Sequence, residues 1–233
     1  MKKFELTTDT KIFLGKKLFR IKALISFGNV RAGDVGGYIE KEENLSQSGN
    51  AWVYGDALVS GDAMVSGNAK VSGNAWVYGD ALVSGDAMVS GNAKVSGDAW
   101  VYGNAEVYGD AEVSGNAKVS GDAWMSGDAR VSGNAKVSGD AWVYGNAEVS
   151  GDAKVYGNAD YATASGFGSE CRTTTFFKLK NSDEIGVRCG CFYGTLKEFK
   201  EKVKETHGET KKAKEYLMLA DLMEYRFSEE KKA

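Results

Sequence analysis

Ala51-Trp52-Val53-Tyr54-Gly55-Asp56-Ala57-Leu58-Val59-Ser60-Gly61-Asp62 is two turns of one pattern, and the pattern does not stop there. From Ala51 to Asn158 the chain is eighteen consecutive hexapeptides reading Ala, variable, Val, Ser or Tyr, Gly, Asp or Asn. Ala at the first position and Gly at the fifth never change, and Met125 is the one departure from Val at the third. A strict short period of this kind predicts a solenoid. Ala, variable, Val, Ser/Tyr alternates in-out-in-out, the period of a strand. Ala and Val then face a narrow core, while the variable residue and Ser/Tyr face out. Gly with Asp or Asn turns the corner, both being types that tolerate positive φ.

A short strand with a tight corner coils in one direction more simply than it folds back as hairpins. The aliphatic residue followed four later by a small one, as in Val53 to Ala57 and Val59 to Ala63, resembles the hexapeptide-repeat family. That resemblance implies a left-handed parallel β-helix with three hexapeptides per coil. Eighteen repeats then make about six coils, each rising about 4.8 Å.

Solenoid ends expose unpaired backbone and need covers. Residues 1–50 read as an N-terminal β cap, with Phe13, Phe19, Ile21, Leu24, Ile25 and Phe27 on short strands. Gly33, Gly36 and Gly37 read as turns there, and Leu45 to Asn50 as a degenerate entry repeat. Residues 51–160 are the β-helix. Residues 161–233 read as a small α+β module, a hairpin plus two helices. The hairpin joins Thr173–Lys180 to Glu184–Cys191 around Asn181-Ser182-Asp183. Thr195-Leu196-Lys197-Glu198 is a capping box that opens the first helix, which His207-Gly208 ends. The second helix spans about Thr210 to Phe227, with Tyr216, Leu217, Ala220, Met223 and Phe227 inward. The fold class is thus mainly β.

The 233 residues contain 30 Gly and no Pro, where ordinary usage is about 5% Pro. One regular backbone path explains that. No apolar run of membrane-spanning length occurs, and the basic start Met1-Lys2-Lys3-Phe4 lacks a signal core. A cytoplasmic location follows, that of the bacterial host if the gene is carried by a phage. Three Cys in such a chain read as reduced thiols. The repeat stretch is acidic and both flanks are basic, giving a net charge of −3. An acidic rod could mimic DNA, but its aspartates sit singly at corners and read first as turn formers. Direct DNA binding is not expected.

Enzymes of the resembled family are acyltransferases that use a His as general base on or beside the β-helix. The single His here, His207, closes a helix instead, where a cation suits the helix dipole. Acyl transfer is therefore the alternative reading and not the first. Cys189-Gly190-Cys191, with Cys171 and His207, departs from the spacing that structural zinc prefers. Half-buried strand thiols are expected, with no metal, cofactor or catalytic residue.

Function then rests on the outward positions. Three hexapeptides per coil bring every third variable residue into register, so these residues stack in three columns. The first is Trp52, Lys70, Met88, Glu106, Trp124, Trp142. The second is Leu58, Trp76, Lys94, Glu112, Arg130, Glu148, whose alternating signs read as a solvated face. The third is Met64, Leu82, Trp100, Lys118, Lys136, Lys154. Three aligned lysines repel unless the corner residues Asp122, Asp140 and Asp152 neutralise them or an anion does. All five Trp are outward, and four are followed two positions later by Tyr. Trp and Tyr are typical interface anchors. The candidate ligand site is Lys118, Lys136, Lys154, Trp124, Trp142 and Tyr144. The candidate oligomer interface is Trp52, Trp76, Trp100 and Tyr102, with a homotrimer expected. Ala51–Asn74 and Ala75–Asp98 differ only in their last residue, so duplication also spread the aromatics.

Two further motifs extend the likeness over nearly the whole chain. They are Gly36-Gly37-Tyr38-Ile39-Glu40-Lys41-Glu42-Glu43-Asn44-Leu45-Ser46 and Cys189-Gly190-Cys191-Phe192-Tyr193-Gly194-Thr195 with Glu198-Phe199 and His207-Gly208. They resemble hexapeptide-repeat proteins of bacterial and phage genomes, some of them labelled transferases on fold alone. The expectation is a non-enzymatic oligomeric binding protein. In a phage it would be a counter-defence inhibitor that sequesters a nucleotide signal or a host defence protein. The other alternative is a purely structural repeat protein.

Overall fold

The computed structural model describes residues 1–167, 172–180 and 183–228. The repeats supply short strands from β4 (Trp52–Val53) through β21 (Lys154–Val155), and each pairs in parallel with the strand three hexapeptides along. Regular pairing names only the variable residue and Val. The rung hydrogen bonds nevertheless run across the whole tetrapeptide, as in Trp76 N–H to Ala93 O and Tyr78 N–H to Val95 O. Every Ala and Val of the repeat is buried in one continuous core, and Met125 fits the same column. The repeats thus form a parallel β-solenoid with three faces.

β1 (Phe4–Phe13) and β2 (Lys16–Ala23) form an antiparallel hairpin. Its turn puts both Leu14 (φ 47°) and Gly15 (φ 77°) in the left-handed region, as a tight hairpin of the right twist requires. β3 (Val35–Ile39) pairs antiparallel with β2 on one edge and parallel with Leu58–Val59 on the other. Leu45 bridges Val65 on the next face. The N-terminal segment therefore adds an entry coil to the six coils of repeats, about seven in all. Gly36 and Gly37 are not turns. They lie inside β3, where an added Cβ would stand 2.6 Å from Val53 O and 2.6 Å from Ala57 O respectively.

At the corners, too, the division of labour differs from expectation. Among the described residues Leu14 alone is non-glycine with positive φ, so the corner Asp and Asn sit in ordinary backbone. Their side chains do something else: they bond along the rod. Asn50 Nδ2 donates to Asn68 Oδ1 and Asn68 Nδ2 to Asp86 Oδ1, at 3.0 Å each. Asn74–Asn92–Asp110 and Asn116–Asn134–Asp152 repeat the arrangement on the other two corners.

Along each rung the N–H and C=O of one residue point to the same side. The outward residues face the next coil, so the amides of Trp52 and Met88 donate to Ala69 and Ala105, and Ala and Val face the preceding one. Each end of the array therefore presents both donors and acceptors, and each end is covered. At the N-terminal end, Lys3 is buried and its Nζ donates to Ala51 O at 3.0 Å and lies 4.9 Å from the centre of the Phe27 ring, while Glu40 Oε2 accepts from Gly61 N at 2.6 Å. Burial pushes this ammonium down to about 8. Fully buried Asn44 donates to Gly61 O and Ala63 O. At the C-terminal end, Asn158 Oδ1 accepts from Trp142 N, Thr175 Oγ1 from Glu148 N and Asp160 Oδ2 from Tyr156 N, while Lys180 N donates to Asp152 O.

The C-terminal module is a four-stranded antiparallel sheet, β22 (Tyr161–Phe167), β23 (Arg172–Lys178), β24 (Ile185–Cys189) and β25 (Phe192–Thr195). α1 (Leu196–His207) and α2 (Lys211–Phe227) pack on it. β23 shows why it docks. Thr175 and Phe177 face the last coil, while Thr174 and Phe176 face the helices, the period-two rule of a strand. The expected hairpin and capping box are present. Asn181 and Ser182 of the expected turn lie outside the described residues. Gly190 and Cys191 form the turn between β24 and β25 instead of continuing a strand.

The corner glycines give a paired test. A Cβ on Gly85 (φ 70°) would meet Gly103 N and O at 2.9 Å, whereas one on Gly145 (φ 63°) meets nothing within 4 Å. Gly145→Ala is expected to cost only the left-handed backbone penalty, about 1–2 kcal/mol. Gly85→Ala must also spread two rungs and should cost about 3 kcal/mol or more. Denaturant melts of the two variants against the parent check this; equal losses would contradict it.

Candidate functional site

The parallel register builds the three outward columns expected from three hexapeptides per coil. Trp124 pairs with Trp142, Lys118 with Lys136, and Lys136 with Lys154. Burial then sorts them. Trp52 is 1% exposed, clasped edge-to-face by Phe4 and Phe27 of the cap, so it is not an interface residue. Trp76 is half-buried, stacked on Tyr78 at 4.0 Å and met edge-on by Phe13. These two tryptophans anchor the N-terminal cap. Trp100 and Tyr102 stay exposed on the third face, 6.5 Å apart and edge-to-face.

The lysine column is not neutralised by corner aspartates. Asp122 and Asp152 instead accept from Asn104 and Asn134. Lys118 Nζ lies 4.1 Å from the centre of the Trp100 ring, and Lys154 Nζ lies 4.5 Å from that of Tyr156. Those cation–π contacts offset part of the repulsion. Moreover, the lysines occupy one face and the Trp124–Trp142 pair the neighbouring one, across the Gly139–Asp140 corner. The two halves of the expected ligand site are therefore on separate faces. On the second face, Glu112 is bridged by Lys94 and Arg130, and Glu148 by Arg188 from β24, as a solvated charge ladder would be.

The first face carries the site. Trp124 and Trp142 stack with ring centres 5.1 Å apart and planes 8° from parallel. Tyr108 meets Trp124 edge-on at 6.2 Å, and Tyr144 stands exposed beside Trp142. Tyr108, Trp124, Ser126, Trp142 and Tyr144 line a groove of about 420 Å³. Trp142 is also the last member of its sheet, so no further rung follows it. On that side it opens into a cleft of about 740 Å³ between the last coil and α2. Tyr144, Tyr161, Thr163, Tyr225 and Arg226 line the same cleft.

Trp142 is held rigidly. Asn158 Oδ1 accepts from its amide at 2.8 Å, and the Tyr161 hydroxyl donates to its carbonyl. Burial pushes the Tyr161 hydroxyl up to about 12, so it remains a donor at any ordinary pH. Arg226, exposed near the end of α2, forms no ion pair among the described residues. Sequence spacing does not single out Arg226 and Tyr225: they are far from Trp142 along the chain, and only the docking of the module brings them to it.

The remaining candidates resolve simply. His207 ends α1 and its ring packs on Tyr216 at 5.9 Å. Cys189 is half-buried and its Sγ accepts from Thr174 Oγ1, while Cys191 is exposed at the turn. Cys171 lies outside the described residues. Among those described, no group of three or more His, Cys, Asp or Glu could hold a metal ion. Nor is any described helix long and apolar enough to cross a membrane.

Residues 129–145 match the family described as YdcK beta solenoid repeat. The segment covers the strands at Arg130–Val131, Lys136–Val137 and Trp142–Val143. The match and the coiled backbone together support a β-helix repeat protein. No curated protein matches the chain.

The placements above predict an order of accessibility. Single-tryptophan versions (the other four changed to Phe) should show acrylamide quenching that is strongest for Trp142, at 50% exposed, and weakest for Trp52, at 1%. Comparable quenching of the two would contradict the structure.

Proposed function

We propose that this is a non-enzymatic binding protein whose ligand is a planar anion of the nucleotide class. The observation that carries the reading is the open end of the Trp124–Trp142 stack. A two-ring stack with a rigid backbone stops at a cleft, and an arginine stands on the far wall. A base laid on Trp142 would add a third layer, and stacking on an aromatic side chain is worth about 1–3 kcal/mol per base. The guanidinium of Arg226 supplies a fork of donors for a phosphate. Aromatic and aliphatic walls with convergent polar groups, as Trp142, Leu222, Asn158 and Arg226 supply, suit a small-molecule site.

The resemblance to hexapeptide-repeat proteins of phages supplies a setting for such a site. There, capture of a signalling nucleotide would make the protein a counter-defence inhibitor. The acyltransferase alternative has less to support it, since His207 packs in the C-terminal module and not on the solenoid.

Calorimetry with adenosine, AMP, ADP-ribose and a cyclic dinucleotide tests the proposal. Binding of at least one phosphorylated probe is expected. Trp142→Ala should abolish it, and Arg226→Ala should weaken phosphorylated probes about tenfold or more, the worth of a charge-assisted hydrogen bond, while leaving adenosine unchanged. No heat from any probe with the folded parent would sink it.

A further inference from the structure

α2 has two apolar faces. Ala213, Tyr216, Leu217, Ala220, Met223 and Phe227 pack on the sheet and α1. On the opposite side Met218, Leu222 and Tyr225 follow the spacing of one helical stripe, and they are 71%, 55% and 80% exposed. The outer face of a surface helix is ordinarily polar, so this stripe calls for a cover.

The charges beside the stripe say what covers it. Glu215 and Arg226 lie along one flank, at opposite ends of the stripe, and Lys214 lies on the other flank. Set two copies of α2 side by side in parallel about a two-fold axis, and each flank meets the opposite flank, which places Glu215 beside Lys214 and leaves Arg226 away from Glu215. Set them antiparallel with Met218 on Leu222, and Glu215 of one copy lies beside Arg226 of the other. In the same register Lys214 comes level with Tyr225 of the second copy, a cation over an aromatic ring. The stripe and its flanks are therefore self-complementary in the antiparallel orientation, with a Glu215–Arg226 pair at each end, as a two-fold, isologous contact requires.

We propose that the chain forms a two-fold dimer through the outer face of α2, and not the trimer that its fold resemblance implies. The second copy shields Met218, Leu222 and Tyr225 and stands at the rim of the cleft that Leu222 and Tyr225 help to line. Arg226 has five donors, so a rim contact with Glu215 leaves others directed to the cleft. The proposal does not depend on the nucleotide reading, since Met218 lies outside the cleft.

Sedimentation of the full chain at rising concentration is the test. A species of twice 25.0 kDa is expected. Met218→Asp should return it to one chain mass with the same far-UV circular dichroism and melting temperature. Glu215→Arg and Arg226→Glu should each weaken the dimer, and the double exchange should restore it. A monomer at every concentration, a trimer, or a dimer indifferent to Met218→Asp would each overturn the proposal.

Discussion

The coils stack in one parallel register, so one side of the first rung and one side of the last have no solenoid neighbour, and the rest of the molecule follows from that. An uncovered end would be a template for another chain. The two flanking segments supply the missing partners: a buried ammonium, an amide and the Glu40 carboxylate at the N-terminal end, and hydroxyl, carboxylate and amide groups at the other. In the corner ladders asparagine donates toward the C-terminus and each run stops at an aspartate, which has nothing to donate.

The outward face is governed by a mismatch of periods. Tryptophan recurs every four hexapeptides at Trp52, Trp76, Trp100 and Trp124, whereas a coil takes three. Each of these steps carries the ring to the next face. The final step, from Trp124 to Trp142, is three hexapeptides and keeps the face. That single change of interval makes the stack, and it comes where the array ends and the module supplies a second wall. A repeat that would otherwise scatter its aromatics thus concentrates them beside α2.

The solenoid was legible in the sequence because it depends on spacing, with Ala, Val and the corner Gly repeating without relief. Its three faces and their register followed from the family resemblance, which implies three hexapeptides per coil. Where legibility fails, the cause is tertiary. Trp52 looks like every other outward Trp, yet Phe4 and Phe27 cover it, and nothing local says that the cap folds back so far. Gly36 and Gly37 have turn chemistry but serve close packing against Val53 and Ala57. The lysine and tryptophan halves of the expected site could be assigned to columns but not brought together by them. Tyr225 and Arg226 entered only with the tertiary contact of the module. Periodicity reaches as far as the rod; the site is made where the rod stops.

Native-state hydrogen exchange, resolved to single amides, tests the covered ladder most directly. The account predicts that Met88, Trp100 and Lys118 exchange only through global unfolding. It also predicts that the outward-pointing amides of the last coil, Trp142, Glu148 and Tyr156, are protected well above unfolded-chain rates by their side-chain acceptors. Exchange of these three at unfolded-chain rates, with the rest of the solenoid intact, would contradict it.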